Sequence, residues 1–436
     1  MKKILLTMLT AALTGQLVTA QTFTGPATVY NVEATSADAH TFYSLRNKKV
    51  VPASDSATAN WDIAFCKSRI IFNSGTSGPG KVKAQLVDQA WVNIKEAPAT
   101  GYLVDAGSDK VVPTGSGKGW YWYNATTEAI RPVPHRSLVI QWEDGQRAKL
   151  EIISYHKNAS TAANSDKGFY SFRYLLSATN NLSQHLDEVY NLDATTTAHF
   201  NLAGNQVMEA AQSTTDAWDV SFTKTDIVVN SGGTNTGKTV GQFVEIPFAN
   251  LLVAPDANYK NNTEAVPGGS DNSWYHYDFL LTHTITPIEG RTLVFQDKHG
   301  RFSKMVINSY YKDAPATPIL LNTAGWYKFQ YFYQPDGSVN LDPDYVAAYT
   351  PLPADTVSND DPENPNDPNN PDTPGDTTGT NPGDTTGGTG TGIAAHAAGL
   401  QFAVFPNPSA NGNFTIKTGE LLRSVNIFNM TGTLVY

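Results

Sequence analysis

Gly232-Gly233-Thr234-Asn235-Thr236-Gly237-Lys238-Thr239 has the letters of a phosphate-binding loop: glycines that bare backbone N–H groups, a lysine, and a hydroxyl for Mg²⁺. Such a loop works when a helix follows, because the helix N-terminus supplies N–H groups and a favourable dipole. Here Val240-Gly241-Gln242-Phe243-Val244 follows, a pattern that predicts a strand. The related stretch from Gly75 to Lys81 runs into Val82 and lacks the hydroxyl. Both stretches read as loops between strands. The sequence has no Gly-x-Ser-x-Gly, His-Glu-x-x-His or Cys-x-x-Cys pattern. Asp62 and Asp219 belong to a repeated strand motif, and no two acids stand out as a glycosidase pair. Cys66 is the only cysteine and reads as a structural thiol. No catalytic residue and no metal site is assigned, and the chain is not expected to be an enzyme.

These motifs sit in a duplicated frame. Trp61-Asp62-Ile63-Ala64-Phe65 returns 157 residues later as Trp218-Asp219-Val220-Ser221-Phe222. The same offset relates Asn73 to Asn230, Lys81 to Lys238, and the run from Gly168 to Tyr174 to that from Gly325 to Tyr331. A match of this length is a domain duplication, and its period is too long for a solenoid. Short apolar and aromatic runs broken by Gly, Asn, Pro and Thr predict antiparallel strands. In the first copy they are Phe42 to Leu45, the Trp-Asp strand, Ile70 to Phe72, Gly119 to Tyr123, Ser137 to Trp142, Ala148 to Tyr155 and Phe169 to Leu175. Alternation predicts Trp61, Ile63 and Phe65 on one face, with Asp62, Ala64 and Cys66 on the other. The expected fold is all-β: two tandem antiparallel β domains over 21–182 and 183–350, an acidic disordered linker over 351–398, and a small sandwich-like module over 399–436.

The net charge of −10 is concentrated in that linker, where residues 355–392 carry eight carboxylates and no Lys or Arg. The rest is close to neutral and has no basic stripe, which excludes nucleic acid as a partner. The linker lacks the Asp-x-Asp-x-Asp-Gly spacing of a calcium loop and reads as a solvated spacer. Residues 1–20 have the lysines, apolar run and small-residue end of a secretory signal. No later run is long enough for a membrane span, so the protein is expected to be secreted or held at the cell surface. Phe402-Ala403-Val404-Phe405-Pro406-Asn407-Pro408 and Ile427-Phe428-Asn429-Met430-Thr431-Gly432 resemble the C-terminal sorting domain of type IX secretion. That resemblance implies the type IX machinery as a partner and an outer-membrane route. The sequence stops at Val435-Tyr436, before the further strands that such modules carry.

The duplicated unit resembles the HmuY family, secreted all-β proteins known mainly as haem-binding haemophores. The residues that carry the resemblance are Trp61 to Phe65, Asn73-Ser74-Gly75, Gly119-Trp120, Gln146 to Leu150, Ile153-Ser154-Tyr155, and Phe169 to Tyr174. The second copy answers with Trp218 to Phe222, Asn230 to Gly232, Trp274-Tyr275, Lys304 to Ile307, Ser309 to Tyr311, and Trp326 to Tyr331. The resemblance implies haem, taken free or from a host haemoprotein, gripped by two His or two Met. The first of these positions falls in 82–118 or 239–273, which hold no His and no Met. The second falls near Ala125 or Phe279. His276 and His283 flank it in the second copy, and Tyr275, Tyr277, Tyr121 and Tyr123 line the two copies. Imidazole and tyrosinate both ligate haem iron, so these six are the candidate haem-binding residues. The alternative is a surface adhesin whose aromatic clefts meet glycan or protein without haem.

Overall fold

The computed structural model describes residues 20–124, 127–162, 165–349, 402–405 and 415–418. Residues 20–349 belong to one compact unit, and the two strands near the C-terminus belong to another. The described residues are nearly all β, with only short 3-10 turns between strands.

Strand β1 (Thr22–Thr24) precedes the first repeat. The repeat itself runs β2 (Ala27–Glu33), β3 (Thr41–Ser44), β4 (Lys49–Val51), β5 (Ile63–Cys66), β6 (Arg69–Phe72) and β7 (Lys83–Val87). It continues with β8 (Tyr121–Asn124), β9 (Ala129–Pro132), β10 (Ser137–Gln141), β11 (Arg147–His156) and β12 (Lys167–Ser177). One sheet has the order β2-β12-β11-β10-β7, a second β4-β3-β5-β6, and β8 and β9 form a separate hairpin. All pairings are antiparallel.

The second repeat follows as β13 (Asp187–Asp193), β14 (Ala198–Asn201), β15 (Gln206–Val207), β16 (Val220–Thr223), β17 (Asp226–Val229) and β18 (Val240–Val244). Then come β19 (Tyr275–Tyr277), β20 (Ile285–Pro287), β21 (Thr292–Gln296), β22 (Phe302–Tyr311) and β23 (Ala324–Tyr333). Its sheets have the matching orders β13-β23-β22-β21-β18 and β15-β14-β16-β17, with β19 and β20 as the hairpin. The strand predicted after the phosphate-loop lookalike is β18. Strands β24 (Phe402–Phe405) and β25 (Thr415–Thr418) pair antiparallel. The signal reading of 1–19, the linker reading of 351–398 and the rest of the sorting module lie outside the described residues.

In each repeat the two sheets close on a core rich in aromatic rings. Phe65 lies 4.4 Å from Tyr170 and stacks on Phe172 at 5.5 Å; Phe222 repeats this with Tyr327 and Phe329 at 5.0 and 5.2 Å. Tyr170 Oη donates to Lys67 O and Tyr174 Oη to Leu45 O, while Tyr327 and Tyr331 donate to Lys224 O and Leu202 O. Apolar bulk is thereby buried with its hydroxyls satisfied. Trp61 departs from the expected alternation. It packs with Val51 and Ala64, apart from the core that takes Ile63 and Phe65. The regular strand begins only at Ile63, so its two-residue period does not extend back to Trp61.

The repeated motifs are scaffold. Trp61 Nε1 and Trp218 Nε1 donate to Ser56 O and Ser213 O, each at 3.0 Å. Asp62 and Asp219 accept the backbone N–H of Leu45 and Leu202 at 2.8 Å. Asn230 explains the phosphate-loop lookalike: its amide donates to Thr215 O and Trp218 O, and its Oδ1 accepts from Gly237 N at 3.1 Å. A Cβ at Gly237 would collide with the Asn230 carbonyl, so glycine there serves close packing. Cys66 is buried, its thiol directed at Ser36 O and Ala37 O.

The repeats are also tied to each other. Strand β1 pairs with β13, Thr22 opposite Tyr190 and Thr24 opposite Glu188, so residues ahead of the first repeat extend the sheet of the second. Phe23 packs 5.9 Å from Phe200 in that repeat's core. Lys48 Nζ reaches Gly204 O and Asn205 O at 3.0 and 2.9 Å. Phe23→Ala is expected to cost about 1–2 kcal/mol, the worth of a partly buried ring, read as a lower midpoint in urea unfolding. An unchanged midpoint would mean that β1 adds no stability to the pair.

Candidate functional site

The hairpin of β19 and β20 holds four of the six candidate residues. Its base is rigid. Trp274 Nε1 donates to Thr225 O at 3.0 Å, and Ile285 N donates to Tyr311 Oη at 2.8 Å. Tyr275 and Tyr277 stand opposite Pro287 and Ile285, and His276 opposite Thr286. Strand alternation turns Tyr275 into the core, where it is buried, and His276 outward. His276 Nδ1 pairs with Asp271 Oδ1 at 2.7 Å. This hydrogen bond, with a second from Ser270, holds the Asp271 carboxyl below its ordinary value.

The tip, from Asp278 to Thr284, is shaped by one carboxylate. Asp278 accepts the backbone N–H groups of Leu280, Leu281 and Thr282 at 3.0 to 3.1 Å and the Thr282 hydroxyl at 2.8 Å. The Thr282 hydroxyl first, then the N–H groups, lower its affinity for a proton. The cage presents three apolar side chains to solvent: Phe279, Leu280 and Leu281 are 68, 84 and 85% exposed. His283, with φ of 52°, follows them in the tip and is itself exposed. Its Nδ1 lies 3.3 Å from Tyr277 Oη, and its ring meets Phe279 edge-on at 5.9 Å. A second exposed triplet, Ile319-Leu320-Leu321, lies in the loop that leaves β22 just after Tyr311.

The structure therefore groups His283 with Tyr277 and Phe279, and places His276 on the opposite face with Asp271. The two imidazoles do not form a pair. Tyr121 and Tyr123 occupy the equivalent hairpin of the first repeat, where both are buried in the main core. Tyr121, Tyr123 and Tyr275 thus act as core rings, and the accessible members of the set are His276, Tyr277 and His283. The apolar tip is the feature that ligand-type reasoning passes over. Its signal in the sequence is Phe279-Leu280-Leu281 beside His283, an apolar run too short for a buried strand and without counterpart between Tyr123 and Ala129.

With the fold in place, residues 36–174 match the family model described as HmuY protein, so the chain carries an HmuY family domain in its first repeat. Solved structures to which the chain is similar include one described as a putative HmuY-like heme binding protein from Bacteroides vulgatus. It is 18% identical, covers 35% of this chain and 92% of its own, and has a TM-score of 0.26. An apo HmuY analog from Tannerella forsythia is 16% identical, covers 37% and 99%, and also scores 0.26. A putative lipoprotein from Bacteroides fragilis is 15% identical over 35% and 91%, with a TM-score of 0.25. No curated protein matches the chain. Among the described residues, no helix is long and apolar enough to cross a membrane.

Proposed function

We propose that the chain is an exported, non-enzymatic binding protein made of two HmuY-like repeats, and that it takes haem at the β19–β20 hairpin. The observation that carries this reading is an oriented imidazole beside an exposed apolar tip. Porphyrin is flat and apolar, and its iron needs a nitrogen or oxygen donor on the axis. His283 offers such a donor, because Tyr277 engages Nδ1 and leaves Nε2 for the metal. Phe279, Leu280 and Leu281 supply the apolar cover. Bound there, haem would give the site an iron centre that exchanges ligands and electrons. His276, across the hairpin, is outside this site.

The leader pattern of residues 1–20 and the sorting-module resemblance of 399–436 support export by a type IX route to the cell surface. Hemin, free or drawn from a host haemoprotein, is the expected cargo. The test is a hemin titration followed by the Soret band. The expected result is a saturable red shift at one equivalent, weakened at least tenfold by His283→Ala and changed less than twofold by His276→Ala. A shift of equal affinity in His283→Ala would overturn the site. No shift in either redox state of the unaltered protein would overturn the haem reading itself.

A further inference from the structure

A cleft of about 440 Å³ opens on the first repeat, between its outer sheet face and the chain segment that follows β23. Trp91 and Trp122 line it with Arg131, Glu151, Arg173 and Tyr345. The segment 334–347 forms its far wall, fastened where His135 Nε2 meets Ala347 O at 2.8 Å and His185 Nε2 meets Asp344 at 2.9 Å. Trp122 lies on β8 between the core residues Tyr121 and Tyr123, so the strand's pleat turns it outward into the cleft. Arg131 stands directly opposite it on β9. Arg173 is held by Glu151 at 2.7 Å and lies over the Trp91 ring at 4.6 Å.

Two observations mark this cleft as more than a packing gap. Trp91 is only 2% exposed, yet its indole N–H finds no hydrogen-bond partner among the described residues. A buried donor left without a partner is destabilising, so its retention beside the cleft calls for a reason other than packing. The second observation comes from the duplication. Lys149 and Lys304 bridge to backbone carbonyls in both repeats, as scaffold must. The cleft residues are not repeated: Phe248, His276, Thr286, Val306 and Gln330 stand where Trp91, Trp122, Arg131, Glu151 and Arg173 do in the first copy.

We propose that this cleft binds a neutral saccharide. A sugar ring presents apolar C–H faces that pack on aromatic rings, and vicinal hydroxyls that need donors and acceptors side by side. The cleft supplies both, with the indole face of the half-buried Trp122 and, around it, guanidinium donors and carboxylate acceptors. Arg131 and Arg173 are balanced by Glu151, Asp336 and Asp342, which disfavours phosphate and other polyanions. The site is separate from the haem hairpin and does not depend on it.

The experiment is saturation-transfer NMR and tryptophan fluorescence on the full chain with chitotriose, cellotetraose, mannotriose and N-acetyllactosamine at millimolar concentration. At least one is expected to bind saturably, with affinity reduced at least tenfold by Trp122→Ala, reduced by Glu151→Gln, and unchanged by His283→Ala. Trp122 is half-buried, and an unshifted thermal midpoint of Trp122→Ala confirms that the variant folds. If that variant unfolds, Arg131→Lys, which keeps the charge and loses the planar fork, is expected to show the same weakening. No binding by any of the four sugars, or equal binding by the folded Trp122 and Arg131 variants, would overturn the proposal.

Discussion

Lys149→Ala is expected to destabilise the protein by about 3–5 kcal/mol, a large share of the stability of an ordinary domain. Lys149 is wholly buried in β11, and its Nζ donates to Trp91 O at 3.0 Å and Ile94 O at 3.2 Å. Those carbonyls belong to the first residue of the 3-10 turn Trp91–Asn93 and to the residue that ends it, and the turn has no side-chain cap. Alanine would take the lysine donor from the Ile94 carbonyl, leave the Trp91 carbonyl with only the Ile94 N–H, and open a cavity the length of the lysine stem. Lys149→Met fills the volume without restoring the donors, so it should recover only the cavity share, leaving about 2 kcal/mol. Lys304 makes the equivalent bonds to Phe248 O and Leu251 O at 2.8 and 3.0 Å, and the same pair of variants there should behave alike. Urea unfolding of the four variants checks this. Equal loss from alanine and methionine at both positions would show that the donors contribute everything and the packing nothing.

The lysine also titrates. Burial first, then the charge of Arg173, lowers Lys149 to about 7 from its ordinary 10.5. A base whose folded value is depressed binds fewer protons in the native state than in the unfolded chain between those values. Its contribution to stability therefore rises with pH from about 7 to 10.5. The neutral amine keeps two N–H groups, enough for both carbonyls.

Much of this scaffold is legible in the sequence because it is local. Alternating apolar runs mark β10, β11 and β12 to within two residues, and the 157-residue offset relates strand β5 to strand β16. Non-local pairings are another matter. Thr22-Phe23-Thr24 is too short to show a period, and nothing in those three residues names β13, more than 160 positions away, as its partner. The candidate site divides in the same way. Spacing brings His276 and His283 onto one hairpin, but the pleat and the positive φ of His283 decide that they face apart. Alternation puts Tyr121 and Tyr123 on a common face without saying that this face is the core. The saccharide cleft joins residues from Trp91 to Tyr345, a juxtaposition that only the folded chain displays.

Asp297→Asn is expected to stabilise the protein by about 1 kcal/mol at pH 8 and to have almost no effect at pH 4. The reason lies in a difference between the repeats. Asp62 of the first Trp-Asp motif accepts Trp142 Nε1 at 2.8 Å and sits 3.7 Å from Arg46 Nε. In the second repeat those positions are Asp297 and Ala203, so Asp219 has a carboxylate neighbour where Asp62 has an indole donor. Burial first, and the charge of Asp297 second, push Asp219 up to about 7 from its ordinary 3.8. An acid whose folded value is raised binds more protons in the native state than in the unfolded chain. Its contribution is therefore complete below about pH 4 and is lost as pH rises through 7. Asparagine keeps an oxygen for the His299 and Arg301 backbone N–H groups that Asp297 accepts at 2.8 and 2.9 Å. Its amide can donate to Tyr333 Oη, which is already within 3.1 Å of Tyr30 Oη as an alternative acceptor. The variant thus removes the charge and keeps the turn. Unfolding free energies of both proteins at pH 4, 6 and 8 should converge at the acid end and separate at the alkaline end. Parallel curves would mean that burial alone raises Asp219 and that its carboxylate neighbour contributes nothing.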